Sequence, residues 1–134
     1  MKPTLKPGLA VTRTIKVDEP RVINFMGEDC RVYATPRIIS DVEYTCRDFL
    51  LGHLDAGEDS VGTKVNWEHV GPALLGAEIT ISIKLTNVDG RRVSFEAVVD
   101  DGADAVARGT HERFIVDVHK VRERLLKKKA QQRG

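Results

Sequence analysis

One long amphipathic stretch, Tyr33 to Leu54, constrains this chain more than any other feature, because it needs a surface to cover it. Ile38, Val42, Cys46, Phe49 and Leu50 recur at helical spacing, and His53 and Leu54 close the stripe. Ser40, Asp41, Arg47 and Asp48 take the polar face, and Glu43 falls on the flank of the apolar stripe, where a carboxylate is partly desolvated. Thr35 reads as the N-cap, its hydroxyl accepting from a free helix N–H, and Pro36 as the first helical residue. Gly52 and the run Asp55-Ala56-Gly57-Glu58-Asp59 end the helix.

The covering surface is written in the other segments. Gly76 to Val88 sets Ile79, Ile81, Ile83 and Leu85 against Glu78, Thr80, Ser82, Lys84 and Thr86, an alternation that puts one face on a core and one in water. Asp89-Gly90 is a hairpin dipeptide, and Arg91 to Val99 returns with Val93, Phe95, Ala97 and Val99 inward. Leu9 to Val17, Gly62 to Val70 and Asp104 to Val116 complete the set of strands. The expected order is a strand, the helix, then four strands in a meander. One apolar helix and one amphipathic sheet must cover each other, so an α+β hot-dog fold follows, with an antiparallel sheet curled around one long central helix. Its edge strands call for pairing or cover, which edge-to-edge dimerisation supplies.

At 134 residues the chain is one domain, 1–134. The net charge of +1 gives no bulk electrostatic case for nucleic acid or membrane. Charge is uneven, however. Residues 117–134 carry seven Lys/Arg against two Asp/Glu and form a basic helical tail with Val118, Val121 and Leu125 on one side. Its end, from Lys127 to Arg133, is expected to fray as a solvated terminus. No apolar run approaches membrane-spanning length and no signal-peptide h-region opens the chain. Cys30 and Cys46 are too few for a disulfide framework and read as reduced thiols in a cytoplasm.

The segments TPRIISDVEYTC, GEDSVGTKVNWEH, GRRVSFEAVVDDG and GTHERF resemble the fluoroacetyl-coenzyme A thioesterase-like family of hot-dog proteins, from about Pro7 to about Lys120. The resemblance implies a dimer that hydrolyses short acyl-CoA thioesters without a cofactor or metal. It places the family's catalytic threonine, glutamate and histidine on Thr35, Glu43 and His69. It also places the glycine near the substrate carbonyl on Gly62, beside Thr63, and the assisting arginine on Arg113. The family's fluoroacetyl-specific enzyme carries an aromatic gate on a longer lid, which has no counterpart between Val22 and Tyr33. The expectation is therefore a plain acyl-CoA thioesterase.

These residue types suit thioester hydrolysis. A carboxylate at Glu43 attacks the carbonyl or activates water, and an imidazole at His69 protonates the departing thiolate. Thr35 orients one of them, and backbone N–H groups at Gly62–Thr63 approach the carbonyl closely. Each also has an ordinary structural explanation: a cap, a solvated flank, a half-exposed strand histidine, a loop end, an ion pair. Trp67 shares a face with His69, and His111 shares one with Arg113, by period two. Thr35 and Glu43 impose a geometric condition. If all helical, they stand ~12 Å apart along the axis. Either the helix starts after Pro36 or two subunits contribute to one site. A non-catalytic hot-dog module that binds an acyl-CoA or related ligand, and a dimer that pairs again into a tetramer, both stay open.

Overall fold

The computed structural model describes residues 1–133. Helix α1 spans Thr35–Leu51, and the strands are β1 (Ala10–Lys16), β2 (Glu58–His69), β3 (Glu78–Asp89), β4 (Arg92–Asp100) and β5 (Ala105–Asp117). Helix α2, Val118–Arg133, ends the chain, and single 3-10 turns occupy Glu19–Arg21 and Glu28–Cys30. All five strands pair antiparallel in one sheet with the order β1-β3-β4-β5-β2. The α+β architecture expected of a hot dog is present. No described helix is long and apolar enough to cross a membrane.

Topology departs from the expected meander in one respect. Only β3, β4 and β5 follow one another. β2 leaves α1 and joins the far side of β5, becoming one edge of the sheet, while β1 pairs with β3 at the other. The 70–77 connection therefore crosses the breadth of the sheet rather than turning a hairpin at Gly71-Pro72. It is pinned on the way by Val70 and Gly71 N–H to the Val106 carbonyl and by a bridge from Leu74 to Val32.

The core is the meeting of the two predicted apolar surfaces. Ile38, Val42, Cys46 and Leu50 of α1 are buried against Ile79, Ile81, Ile83 and Leu85 of β3 and Val93, Phe95, Ala97 and Val99 of β4. Removing each large side chain from water contributes about 1.5–3 kcal/mol. Phe49 adds an edge-to-face contact with Phe95, centroids 6.0 Å apart.

The entry to α1 differs from the sequence reading. Ala34, extended at φ −75° and ψ 135°, is the N-cap, and no side chain caps the helix. Thr35 is already helical, and its hydroxyl has another partner, described below. The start of the helix is fixed instead by a clamp. Arg21 grips the Asp41 carboxylate with Nε to Oδ2 at 2.8 Å and Nη2 to Oδ1 at 3.1 Å, and the buried Tyr33 hydroxyl donates to the same carboxylate. Ala34 N–H also donates to the Arg21 carbonyl at 2.8 Å. The basic tail is helical through Arg133, as its run of Lys, Arg, Leu, Ala and Gln favours. No α2 residue is buried.

Candidate active site

β2 runs along α1 and carries both halves of the site. Two groups of side chains emerge, one near each end of the strand. At its C-terminal end, Thr35 Oγ1 lies 2.7 Å from His69 Nδ1. This is where the Thr35 hydroxyl goes instead of capping. With the hydroxyl donating to Nδ1, the imidazole proton sits on Nε2, and Nε2 is buried with no protein partner. Two residues back on the same face, Trp67 Nε1 is also buried and unpartnered. Trp67 packs onto Gly109, the first residue of the GTHER block, where a Cβ would stand 2.4 Å from the ring.

At the other end, three side chains converge on the bare α-carbon of Gly62. A Cβ built there would meet His111 Cε1 at 3.1 Å, Glu43 Oε1 at 3.3 Å and Arg113 Nη1 at 3.6 Å. These residues edge a cleft of about 480 Å³ lined by Glu43, Tyr44, Arg47, Ser60, Gly62 and Arg113. Arg113 and His111 are buried in the sheet, at 5% and 3% exposure. Burial pulls the His111 imidazole below its ordinary range, and burial likewise pulls the Arg113 guanidinium down, with Glu43 the leading charge pulling back. Arg47 is committed elsewhere, gripping Asp59 with Nε to Oδ1 at 3.0 Å and Nη2 to Oδ2 at 2.7 Å.

A bulge puts both groups on one face. The β2–β5 register runs Gly62 opposite Arg113, then Lys64 opposite Glu112 and Val65 opposite His111, so Thr63 is an extra residue. Were the same residues to run as a regular strand with no bulge, strict alternation would turn Gly62 and His69 to opposite sides of the sheet. Thr63 itself points away from α1, its hydroxyl donating to the Glu112 carboxylate at 3.0 Å and the Glu112 carbonyl at 3.2 Å.

Within one chain the candidates therefore form two sets. Thr35 and His69 touch, and Glu43, Gly62 and Arg113 gather around a second point. Because α1 begins at Thr35, the ~12 Å between Thr35 and Glu43 along the helix stands. Gly62 and His69 are separated by roughly 20 Å of strand. A narrow gap bordered by Ile39, Val42, Val65 and Trp67 runs from Glu43 and His111 toward Trp67, too tight to hold a water. Two residues escaped the sequence reading. Ser60 lies ahead of the strand start expected at Gly62, because the Gly-rich bend masks the first residues of β2. His111 was placed beside Arg113 but given no part, since its role depends on hydrogen bonds across strands.

The family model for the fluoroacetyl-CoA-specific thioesterase matches residues 17–119. The fluoroacetyl-CoA thioesterase of Streptantibioticus cattleyicolor is 31% identical over 97 residues, spanning 72% of this chain and 70% of that protein. A solved structure of a point mutant of the fluoroacetyl-CoA-specific thioesterase FlK, in complex with fluoroacetate and CoA, superposes with a TM-score of 0.81 at 27% identity, covering 87% of this chain and 99% of that one. A thioesterase superfamily member from Thermus thermophilus, at 22% identity and a TM-score of 0.87 over 98% of both chains, shares the fold.

Proposed function

The chain belongs to the fluoroacetyl-CoA-specific thioesterase family, and from that premise we propose that it hydrolyses short-chain acyl-CoA thioesters to the acid and free CoA. Thr35, Glu43 and His69 are its catalytic set, Gly62, the backbone N–H of Thr63 and Arg113 surround the acyl group, and the working form is a homodimer. The observation that carries the reading is the Thr35–His69 contact, which leaves a buried imidazole nitrogen with no protein partner. Buried polar atoms are almost always satisfied, and an orphan of this kind suits a ligand atom.

The geometry supports a site shared between subunits. β2 is an edge strand, with Val61 and Val65 exposed along it. Antiparallel pairing of two β2 edges centred near Val65 and Asn66 would set His69 against the partner subunit's Gly62. It would also set Thr35–His69 of one chain near the partner's Glu43. In that composite site the Glu43 carboxylate attacks the thioester carbonyl or takes the proton of an attacking water. The developing oxyanion is met by backbone N–H groups at Gly62–Thr63. As the C–S bond breaks, the departing thiolate accepts a hydrogen bond from His69 Nε2–H, which Thr35 holds in the donating tautomer, and it is protonated by the proton released from the consumed water. We read no counterpart of the fluoroacetyl-specific enzyme's aromatic gate between Val22 and Tyr33, where the one aromatic residue, Phe25, is exposed, and this favours plain acyl groups. The whole chain acts as one unit with α2 as a basic appendage. Its free thiols at Cys30 and Cys46 suit the cytoplasm.

The test is thiol release from acetyl-CoA. Glu43→Gln and His69→Ala should each abolish it. Unfolded and refolded together in equal amounts, the two dead variants should recover about a quarter of wild-type activity, because half the dimers are mixed and one of their two sites is intact. Retained activity in either single variant removes that residue from the set, and no recovery on mixing confines the site to one chain.

A further inference from the structure

Arg113 presents an electrostatic problem. It is a buried guanidinium with no carboxylate within ion-pair distance among the described residues. An unpaired buried charge is costly, so its surroundings need a reason. Those surroundings are unusually complete. Nε donates to Ser60 Oγ at 2.7 Å, Nη2 donates to the Ser60 carbonyl at 2.8 Å, and Nη1 lies 3.2 Å from His111 Nε2. A guanidinium only donates, so His111 Nε2 must accept, and the ring proton sits on Nδ1. There it donates to the Lys64 carbonyl at 2.9 Å. Each bond fixes the next, and His111 is held neutral in one tautomer. Ser60 and His111 are themselves buried, at 6% and 3% exposure, among an otherwise apolar inner face.

From this we infer that Ser60 and His111 are positioning residues that lock the Arg113 guanidinium as a fixed positive charge facing Glu43 across Gly62. The inference rests on Glu43 as the reacting carboxylate. Every charged or titratable group around Glu43 has a different commitment. On its own helix, Tyr44 is exposed, Cys46 is buried as a neutral thiol, and Arg47 is held by Asp59 of β2. On β5, Glu112 is on the outer face with Thr63, and His111 is neutral. Arg113 is the remaining cation, and its Nη1 is directed toward the same missing Cβ that Glu43 Oε1 approaches. A fixed cation there faces the carboxylate with a charge already in place when a thioester fills the crevice and displaces water. A mobile cation in the same place would have to be reordered in every turnover.

The experiment reads the pH dependence of kcat/KM for acetyl-CoA in Ser60→Ala and Ser60→Thr. Ser60→Ala removes one acceptor and lets the guanidinium move. It should lower kcat roughly tenfold with little change in KM, in line with the loss of one positioned group. The acid limb of the profile should shift to higher pH, because the positive charge facing the reacting carboxylate is no longer held in place. Ser60→Thr keeps the hydroxyl and should restore both. In an Arg113→Met background, Ser60→Ala should move the limb no further. His111→Asn keeps the donor to Lys64 but cannot reach Arg113, and it should repeat the shift if Ser60→Ala does not accumulate folded. An acid limb unmoved in a folded variant overturns the inference, whatever happens to the thermal midpoint. Glu43→Gln separates the two readings. If it is inactive while the Ser60→Ala limb is unmoved, only the positioning role fails; if it is fully active, the assignment of Glu43 itself fails.

Discussion

Gly62→Ala tests whether the space over Gly62 is reserved for chemistry. Gly62 has no positive φ, so alanine can adopt its backbone, and on conformational entropy alone the change should stabilise by about 0.4–1 kcal/mol. Against this, the new methyl would sit 3.1 Å from His111 Cε1 and 3.3 Å from Glu43 Oε1, so each neighbour must retreat by a few tenths of an ångström. Filling a well-packed place costs about 1–3 kcal/mol. The two neighbours differ in their freedom. His111 is buried and tied to Lys64 and Arg113, whereas Glu43 borders the open cleft and can swing away. The carboxylate therefore moves, and the net loss of stability should be no more than about 1–2 kcal/mol, a fall of a few degrees in thermal midpoint. Activity should suffer far more, because small misplacements of a reacting group cost roughly 10- to 100-fold in kcat/KM. Gly52→Ala is the control. Gly52 is in right-handed helical conformation, and a Cβ there meets only the Phe49 carbonyl at 3.5 Å, so stability should hold or rise and activity should not change. Thiol release and thermal unfolding, measured on both variants, decide the matter. A Gly62→Ala enzyme with wild-type kcat/KM would refute the view that Glu43 works from where it stands.

Two further outcomes are expected. The folded-state pKa of His111 is depressed by burial, so its stabilising effect is complete above the unfolded value of about 6.5 and is lost as pH falls below it. The denaturant midpoint should decline from pH 7.5 to 5, and His111→Asn should flatten the part of that decline near pH 6; an unchanged slope would show that the imidazole is not held neutral. Cys46 is fully buried, its thiol pushed up to about 12 by desolvation, while Cys30 is exposed. A thiol reagent should therefore modify one cysteine in the native protein and two in denaturant, with Cys30→Ser abolishing the native reaction.

What was legible in the sequence follows from what each signal depends on. Ile79, Ile81, Ile83 and Leu85 declared their strand because burial on one face and water on the other write period two directly into the residue order. The α1 stripe did the same at period 3.6. The location of β2 beside β5 was not legible, because it depends on pairing between residues some fifty positions apart, and adjacency in sequence suggested a meander instead. Thr35 shows a subtler limit. Its type and its place before Pro36 suit a cap, and only the arrival of His69 from β2 turns the hydroxyl elsewhere. Ser60 was hidden for the same reason: nothing local reveals that Arg113 will reach it from the neighbouring strand.

The extra residue at Thr63 makes this strand sensitive to number rather than to identity. Its side chain faces away from the helix and meets only Glu112, so many residue types would serve there. Removing it would leave a regular strand in which Ser60, Gly62, Val65, Trp67 and His69 still share the inner surface; flattening the bulge without shortening the chain is what would turn Val65, Trp67 and His69 outward. Related sequences with one residue fewer between the glycine and the histidine need no bulge to keep both halves together, and those that keep this spacing must keep one.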